Sequence, residues 1–160
     1  MKAISEQLDL PIEFRQFSPA WRAALAIFFR ALEENGDAQH FHPHPFSEDF
    51  LDKLCKYQGK DLYYIAVERN NVLAYGLLRG WDEGYAVPSL GIALHPSVRG
   101  LGLGKAFMHF LHVAARRKGA LRIRLKVYPS NSQAIELYKS LGYSFQGIEN
   151  EQMVGSLTFK

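Results

Sequence analysis

Only one cysteine, Cys55, occurs in the 160 residues, so no internal disulfide can form and the chain suits a reducing compartment. No apolar run is long enough to cross a bilayer. The opening segment, MKAISEQLDLPIEF, places Glu6 and Asp9 where a secretory leader would need an unbroken apolar core. These absences predict a cytoplasmic protein with no membrane partner. Charge of one sign is also scarce: the formal net charge of +3 is compatible with a polyanionic partner but too small to require one. The densest basic cluster is Arg116, Arg117, Lys118, Arg122, Arg124 and Lys126. Its first three members fall in the last turn of a predicted helix, where cations suit the negative end of the dipole. No basic stripe interleaved with aromatics appears, so nucleic acid is not an expected partner. Internal repeats, low-complexity tracts and linkers are missing too, which points to one domain over residues 1–160.

What is present reads as an ordinary globular chain, with 48% hydrophobic and 22% charged residues. A chain of this size buries roughly two thirds of its unfolded surface, enough for a core without disulfides or structural metal. Ile12 to Phe17 reads as a first strand. Ser18-Pro19 then pairs an N-cap with a first-turn proline, and Trp21, Leu25, Phe28 and Leu32 follow at helical spacing until Asn35-Gly36. Ser47 opens a second helix, with Phe50, Leu51, Leu54 and Cys55 on one face before Gly59. Between the two helices, His40-Phe-His-Pro-His-Pro is too rich in proline to be helical. The period then changes. Leu62 to Val67 and Val72 to Leu78 are strands joined around Asn70-Asn71, a residue type that tolerates the positive φ of a tight hairpin, and Leu90 to Leu94 is a third. A glycine-rich turn leads into a helix carrying Leu103, Phe107, Phe110, Leu111 and Ala114, closed by Gly119. Leu121 to Val127 follows a helix and is expected to pair parallel to an earlier strand. A short helix from Ser132 to Leu141 ends on Gly142, and Tyr143 to Ile148 and Gln152 to Phe159 form a terminal hairpin. The order describes an α/β domain with a mixed sheet.

The segment most informative about chemistry runs from Leu90 through His95-Pro-Ser-Val-Arg-Gly-Leu-Gly-Leu-Gly to Lys105. It passes from a strand, through a turn holding Gly100, Gly102 and Gly104, into a helix. Backbone amides at a helix N-terminus lack partners and, with the dipole, make an anion site. Glycines let a phosphate approach that backbone, and Arg99 and Lys105 add positive charge, so the segment suits a pyrophosphate. A dinucleotide fingerprint would need a glycine where Phe107 stands and an acidic residue where Arg122, Arg124 and Lys126 stand. A nucleoside triphosphate loop would need glycine at Arg99 and serine or threonine at Ala106. Neither fits. The remaining alternative is that the glycines only ease a tight strand-to-helix turn.

The Arg99-x-x-Gly102-x-Gly104 pattern after Ile92-Ala93-Leu94, with Asn131-Ser-Gln-Ala-Ile-Glu-Leu-Tyr138-Lys-Ser-Leu-Gly-Tyr143 downstream, resembles the GCN5-related N-acetyltransferase (GNAT) superfamily. The resemblance implies an acyl-CoA N-acyltransferase-like fold: a central, mostly antiparallel sheet with a splayed parallel strand pair, flanked by about four helices. It implies acetyl coenzyme A (acetyl-CoA) as cosubstrate, no metal, and a primary amine on a small molecule or peptide as acceptor. Carried onto this chain, it implies that the amides of Arg99, Gly100, Leu101, Gly102, Leu103, Gly104 and Lys105 hold the pyrophosphate. The backbone of Ile92, Ala93 and Leu94 would pair with the pantetheine arm as an added strand does. An N–H near Leu94 would polarise the thioester carbonyl. Asn131 either bonds the pantetheine or caps the helix. Tyr138 matches the general acid that protonates the departing thiolate, and its ring also belongs to the apolar stripe with Ala134 and Leu141.

The mechanism implied is direct attack by a neutral amine with no acyl-enzyme, so Cys55 is not needed as a nucleophile and reads as helix packing. A base must take the ammonium proton. The candidates are Glu83, taken as the catalytic residue, Asp82 beside it, and a histidine from His40, His42 or His44. Alternating histidines project to one side of an extended chain, which makes a metal site conceivable, but a role lining the acceptor cleft is the stronger expectation. Relatives that modify protein N-termini often carry glutamate where Lys126 stands, and this chain departs from that pattern. Arg122, Arg124 and Lys126 alternate on their strand. They are either a solvated face or, for Lys126, a selector of acceptors bearing a carboxylate or other anion. Two further readings stay open: transfer of another short acyl group, and a non-catalytic module that senses coenzyme A. The strand Gln152 to Phe159 offers an edge for a homodimer.

Overall fold

A computed structural model describes residues 11–160. Among the described residues seven strands form one sheet: β1 (Glu13–Gln16), β2 (Leu62–Glu68), β3 (Asn71–Arg79), β4 (Ser89–Leu94), β5 (Arg122–Val127), β6 (Ser144–Glu149) and β7 (Gln152–Thr158). Their spatial order is β1-β2-β3-β4-β5-β7-β6, and every neighbouring pair is antiparallel except β4 and β5. Four α-helices lie among the described residues: α1 (Arg22–Glu34), α2 (Glu48–Cys55), α3 (Leu103–Arg117) and α4 (Ser132–Ser140).

The strand period of two sorts residues to opposite faces of the sheet. Ala66, Ala74, Leu78, Leu90, Ile123, Leu125 and Val127 form one buried cluster with Leu103, Phe107, Met108, Leu111 and Ala115 of α3 and Tyr138 of α4. Ile65, Val67, Val72, Tyr75, Leu77 and Ala93 form a second with α1 and α2. No residue of β5, β6 or β7 belongs to the second cluster, so α1 and α2 cover only the β2–β4 half of their face. Gly76 is required by close approach: a Cβ there would lie 2.1 Å from Cε1 of Phe107.

The helix ends are sharply specified. Ser47 accepts from the amide of Phe50 at 3.1 Å, capping α2. α3 and α4 both terminate in Schellman turns. Gly119 donates to the Arg116 carbonyl and Ala120 to that of Ala115, while Gly142 donates to Lys139 and Tyr143 to Tyr138.

Several expectations shift. Pro19–Trp21 form a 3₁₀ turn before α1, and Ser18 makes no side-chain cap. The positive φ of the β2–β3 turn falls on Arg69, at 56°, rather than on the asparagines. The terminal strand β7 is not an edge: it bonds β5 on one side and β6 on the other, leaving β1 and β6 outermost, so its use in strand pairing between copies is ruled out.

Candidate active site

β4 and β5 share register at only two positions, Ser89 with Arg124 and Leu90 with Leu125. Beyond them the strands part, because β4 stays paired to β3 as far as Leu94 and β5 stays paired to β7 as far as Val127. The gap is the floor of a cleft of about 480 Å³. The His95 amide donates to the Leu73 carbonyl at 2.7 Å, which makes that pair a hydrogen-bonded one. Alternation along an antiparallel ladder then turns the peptide groups of Ala93 and Gly91 towards β3 and those of Ile92 and Leu94 into the gap. All three β4 residues expected to offer backbone to a ligand line the cleft, and of these Ile92 and Leu94 turn their peptide groups into it while Ala93 turns its own towards β3.

α3 begins where this edge ends. Gly102, at φ +85°, precedes its first residue and has no side chain to cap it, and Gly100 is also left-handed at +76°. A Cβ at either glycine would meet nothing within 4 Å, so it is φ and not crowding that selects glycine. Gly104 differs. Its backbone is helical, and a Cβ there would stand 3.2 Å from Leu94 Cδ1 and 3.5 Å from Leu137 Cδ2, so its absence lets α3 sit against β4 and α4. The first amide of α3 with a partner in the helix is that of Ala106, bonded to the Gly102 carbonyl, which leaves the N–H groups of Leu103, Gly104 and Lys105 as free donors.

Arg99 is not a free cation. Its guanidinium bonds the Leu94 carbonyl at 2.9 Å and pairs with Asp37 at 2.8 Å, which ties the α1–α2 linker to the end of β4. The side chain of Leu101 is exposed, as is that of Lys105. On the other wall, Asn131 precedes α4 and its Oδ1 accepts from Ala134 N at 3.4 Å, a long cap bond, while the residue also lines the cleft. Tyr138 lines it as well and is 7% exposed. Its hydroxyl has no protein partner among the described residues, and burial pushes its pKa up to about 12.

Glu83 does not reach this cleft. It is exposed in the turn between Gly80 and Tyr85, which the Tyr85 amide closes on the Gly80 carbonyl, beyond the end of β4 at which the strands are still paired. Asp82 beside it accepts from the Lys60 amide at 2.7 Å and from the Tyr57 hydroxyl, bonds that lower its pKa and anchor the turn. The three linker histidines also separate. His40 lines the cleft and bonds Ser130 Oγ at 3.2 Å, and His42 bonds the Tyr128 hydroxyl at 2.7 Å. His44 turns inward, stacks on Phe50 and donates from Nδ1 to the Pro45 carbonyl, so its Nε2 accepts from Tyr75 at 2.8 Å. Burial lowers its pKa to about 4. No group of three His, Cys, Asp or Glu among the described residues is arranged to hold a metal. Cys55 is a half-buried residue of α2, outside the cleft lining.

Sequence reading missed Asp37, Phe41 and Ser130, all in the lining. Phe41 lies over Gly91, where a Cβ would come within 3.4 Å of its ring. No local pattern marks these residues, because loop contacts bring them in.

A mixed sheet with one parallel pair that parts over an uncapped helix start is the acyl-CoA N-acyltransferase fold. The chain belongs to the acetyltransferase (GNAT) family, whose model matches residues 22–143. It is 32% identical over 106 residues to the N-terminal acetyltransferase B complex catalytic subunit naa20 of Schizosaccharomyces pombe, a match taking in 62% of this chain and 55% of that one. It is 29% identical over 76 residues to streptothricin acetyltransferase of Streptomyces lavendulae, covering 48% of this chain and 39% of the other. The chain thus matches about half or less of these curated relatives. The PaiA N-acetyltransferase of Thermoplasma acidophilum, solved in complex with coenzyme A, has the same fold, with a TM-score of 0.73 at 17% identity over 93% of this chain and 99% of that one.

Proposed function

We propose that this chain is an acetyl-CoA-dependent N-acetyltransferase acting on a primary amine. The observation that carries the reading is the parted β4 edge, whose Leu94 N–H faces the same cleft as the Tyr138 hydroxyl beside the free amides of α3. A diphosphate fits those amides. The pantetheine amides pair with the peptide groups of Ile92, in the manner of an added strand, and the Leu94 N–H is left for the thioester, its carbonyl being held by Arg99. The relatives' names support an amine acceptor, small or peptidic.

In the reaction the amine lone pair attacks the thioester carbonyl carbon, and the oxyanion is met by the Leu94 N–H. The C–S bond then breaks, giving an N-acetyl amide and coenzyme A thiolate. Tyr138 stays protonated and donates to the leaving sulfur. With a hydroxyl near 12 and an ordinary thiol near 8.5, full proton transfer would be uphill by about 5 kcal/mol. Tyr138 therefore supplies a hydrogen bond, and water completes protonation. His40, the one imidazole in the cleft lining, takes the proton of the acceptor's ammonium before attack, and the proton that the nitrogen sheds as the amide forms passes to water.

Screening a panel of amines for thiol release from acetyl-CoA, with calorimetry on the same protein, tests the reading. Release with at least one amine is the expected result. Heat of binding without release from any amine would make the chain a coenzyme A sensor, and propionyl-CoA run beside acetyl-CoA reads the acyl preference.

A further inference from the structure

The half-sheet that α1 and α2 leave uncovered borders the cleft, and its charge is one-sided. Arg122, Arg124 and Lys126 alternate along β5 and share that open face, about 7 Å between successive members. The strands β5, β6 and β7 carry a single acidic residue, Glu149, with Glu151 in the turn that follows. Glu149 is shared: it pairs with Arg124 and stands 3.9 Å from Lys126 Nζ. A transverse row on the same face runs Arg79, Ser89, Arg124, Ser156 by the strand registers. Arg122 reaches Ser156 Oγ at 3.4 Å, while Arg79 is held by the Pro43 carbonyl. Lys126 lies in the lining of the cleft itself. Three cations against Glu149 leave the open face of β5 positive, and Lys126 carries that charge into the cleft lining, where the one carboxylate, Asp37, is held by Arg99.

We propose that the acceptor is a carboxylate-bearing amine whose anionic group docks on Arg124 and Lys126, displacing Glu149 from its shared position. This rests on the acetyltransferase reading above and narrows it. A polycationic acceptor meets repulsion at the same place, and a neutral amine forgoes the attraction. Ser89 and Ser156 supply neutral donors around the carboxylate.

The test compares kcat/KM for three acceptors with acetyl-CoA: an acidic amino acid, a short peptide with an acidic second residue, and the corresponding neutral amide. A polyamine is the fourth arm. The first two distinguish a free amino acid from a peptide terminus, and preference for either over its neutral counterpart is the expected result. Lys126→Ala or Arg124→Ala lowers that preference about tenfold, and Lys126→Arg restores most of it. Glu149→Gln, which frees both cations, raises it. The preference also falls with salt, since these charges are partly exposed. Equal turnover of acidic and neutral amines, preference for the polyamine, or a preference indifferent to these substitutions would overturn the proposal and leave the transferase standing. Thiol release from no amine at all would overturn both.

Discussion

Replacing Tyr138 by phenylalanine removes one oxygen and nothing else from the cleft wall. The ring keeps its place against Tyr143, 5.8 Å between centroids, and no protein partner is left behind, because the hydroxyl has none among the described residues. Stability should therefore hold or rise slightly. Catalysis should not. A hydrogen bond to a charged atom contributes about 1.5–3 kcal/mol, and the thiolate charge develops only as the C–S bond breaks, so the loss falls on the transition state. That predicts a fall in kcat of about 10- to 100-fold, with coenzyme A affinity changed less than about twofold. Thiol release at saturating acetyl-CoA gives the rate, calorimetry gives the affinity, and thermal unfolding confirms the fold. Because burial holds the hydroxyl near 12, the wild-type rate should show no alkaline fall below about pH 11 assignable to this group. An unchanged kcat would refute the assignment. A large loss of affinity with kcat preserved would make Tyr138 a binding wall.

Other perturbations probe different links. Gly76→Ala forces a Cβ to within 2.1 Å of Phe107 Cε1 and 2.9 Å of Leu111 Cδ1, so thermal unfolding should shift down by several degrees, about 1–3 kcal/mol of overpacking. An unshifted transition would mean the α3 face has slack. His44 and His112 are both held neutral by burial with pKa values near 4, against an ordinary 6.5. Depressed folded values mean that the unfolded chain binds protons first, so stability is full above about pH 6.5 and falls as pH drops towards 4, by about 2 kcal/mol for each ring between pH 7 and 5. His112→Phe should remove one share of that slope; a stability flat from pH 7 to 5 would refute the burial argument. His40→Ala should lower kcat and raise the pH at which the amine reacts, while Glu83→Ala should leave kcat within about twofold. The reverse pattern would restore Glu83 as the base.

What the sequence disclosed and what it withheld divide along a physical line. Ser47, Gly119 and Gly142 act on their own chain neighbours through caps and Schellman turns, so a linear reading finds them. The β4 edge, the glycine turn and α3 are contiguous and equally legible. Contacts between distant loops are not. The linker histidines alternate in the chain, yet their partners are Ser130, Tyr128 and Tyr75, and the short 3₁₀ turn Asp37–Gln39 and the prolines at 43 and 45 break the extended geometry that would align them. Glu83 sits close to β4 in sequence, but a strand has two ends, and the gap opens at the other one. The position of β7 was hidden because a hairpin can join a sheet by either of its strands.

An unpaired strand edge is normally a liability, open to any other strand. Here the peptide groups of Ile92 and Leu94 are exposed inside the molecule, between β5 and a linker held across them by Asp37–Arg99, His40–Ser130 and His42–Tyr128. Arg99 already satisfies the Leu94 carbonyl, which leaves the Leu94 N–H and both groups of Ile92 for a ligand. Recessed polar groups without partners cost free energy that a ligand with amides returns on binding. Under the proposed function part of the binding energy would be stored as pairing that β4 and β5 leave unmade, and a narrow, amide-bearing chain would be favoured over a full β-strand, which would have to displace the linker and its three ties. Under the proposed function the same geometry would separate the two substrates, with the diphosphate end at α3 and the amine entering from the linker side, where Phe41, His40 and Lys126 line the cleft.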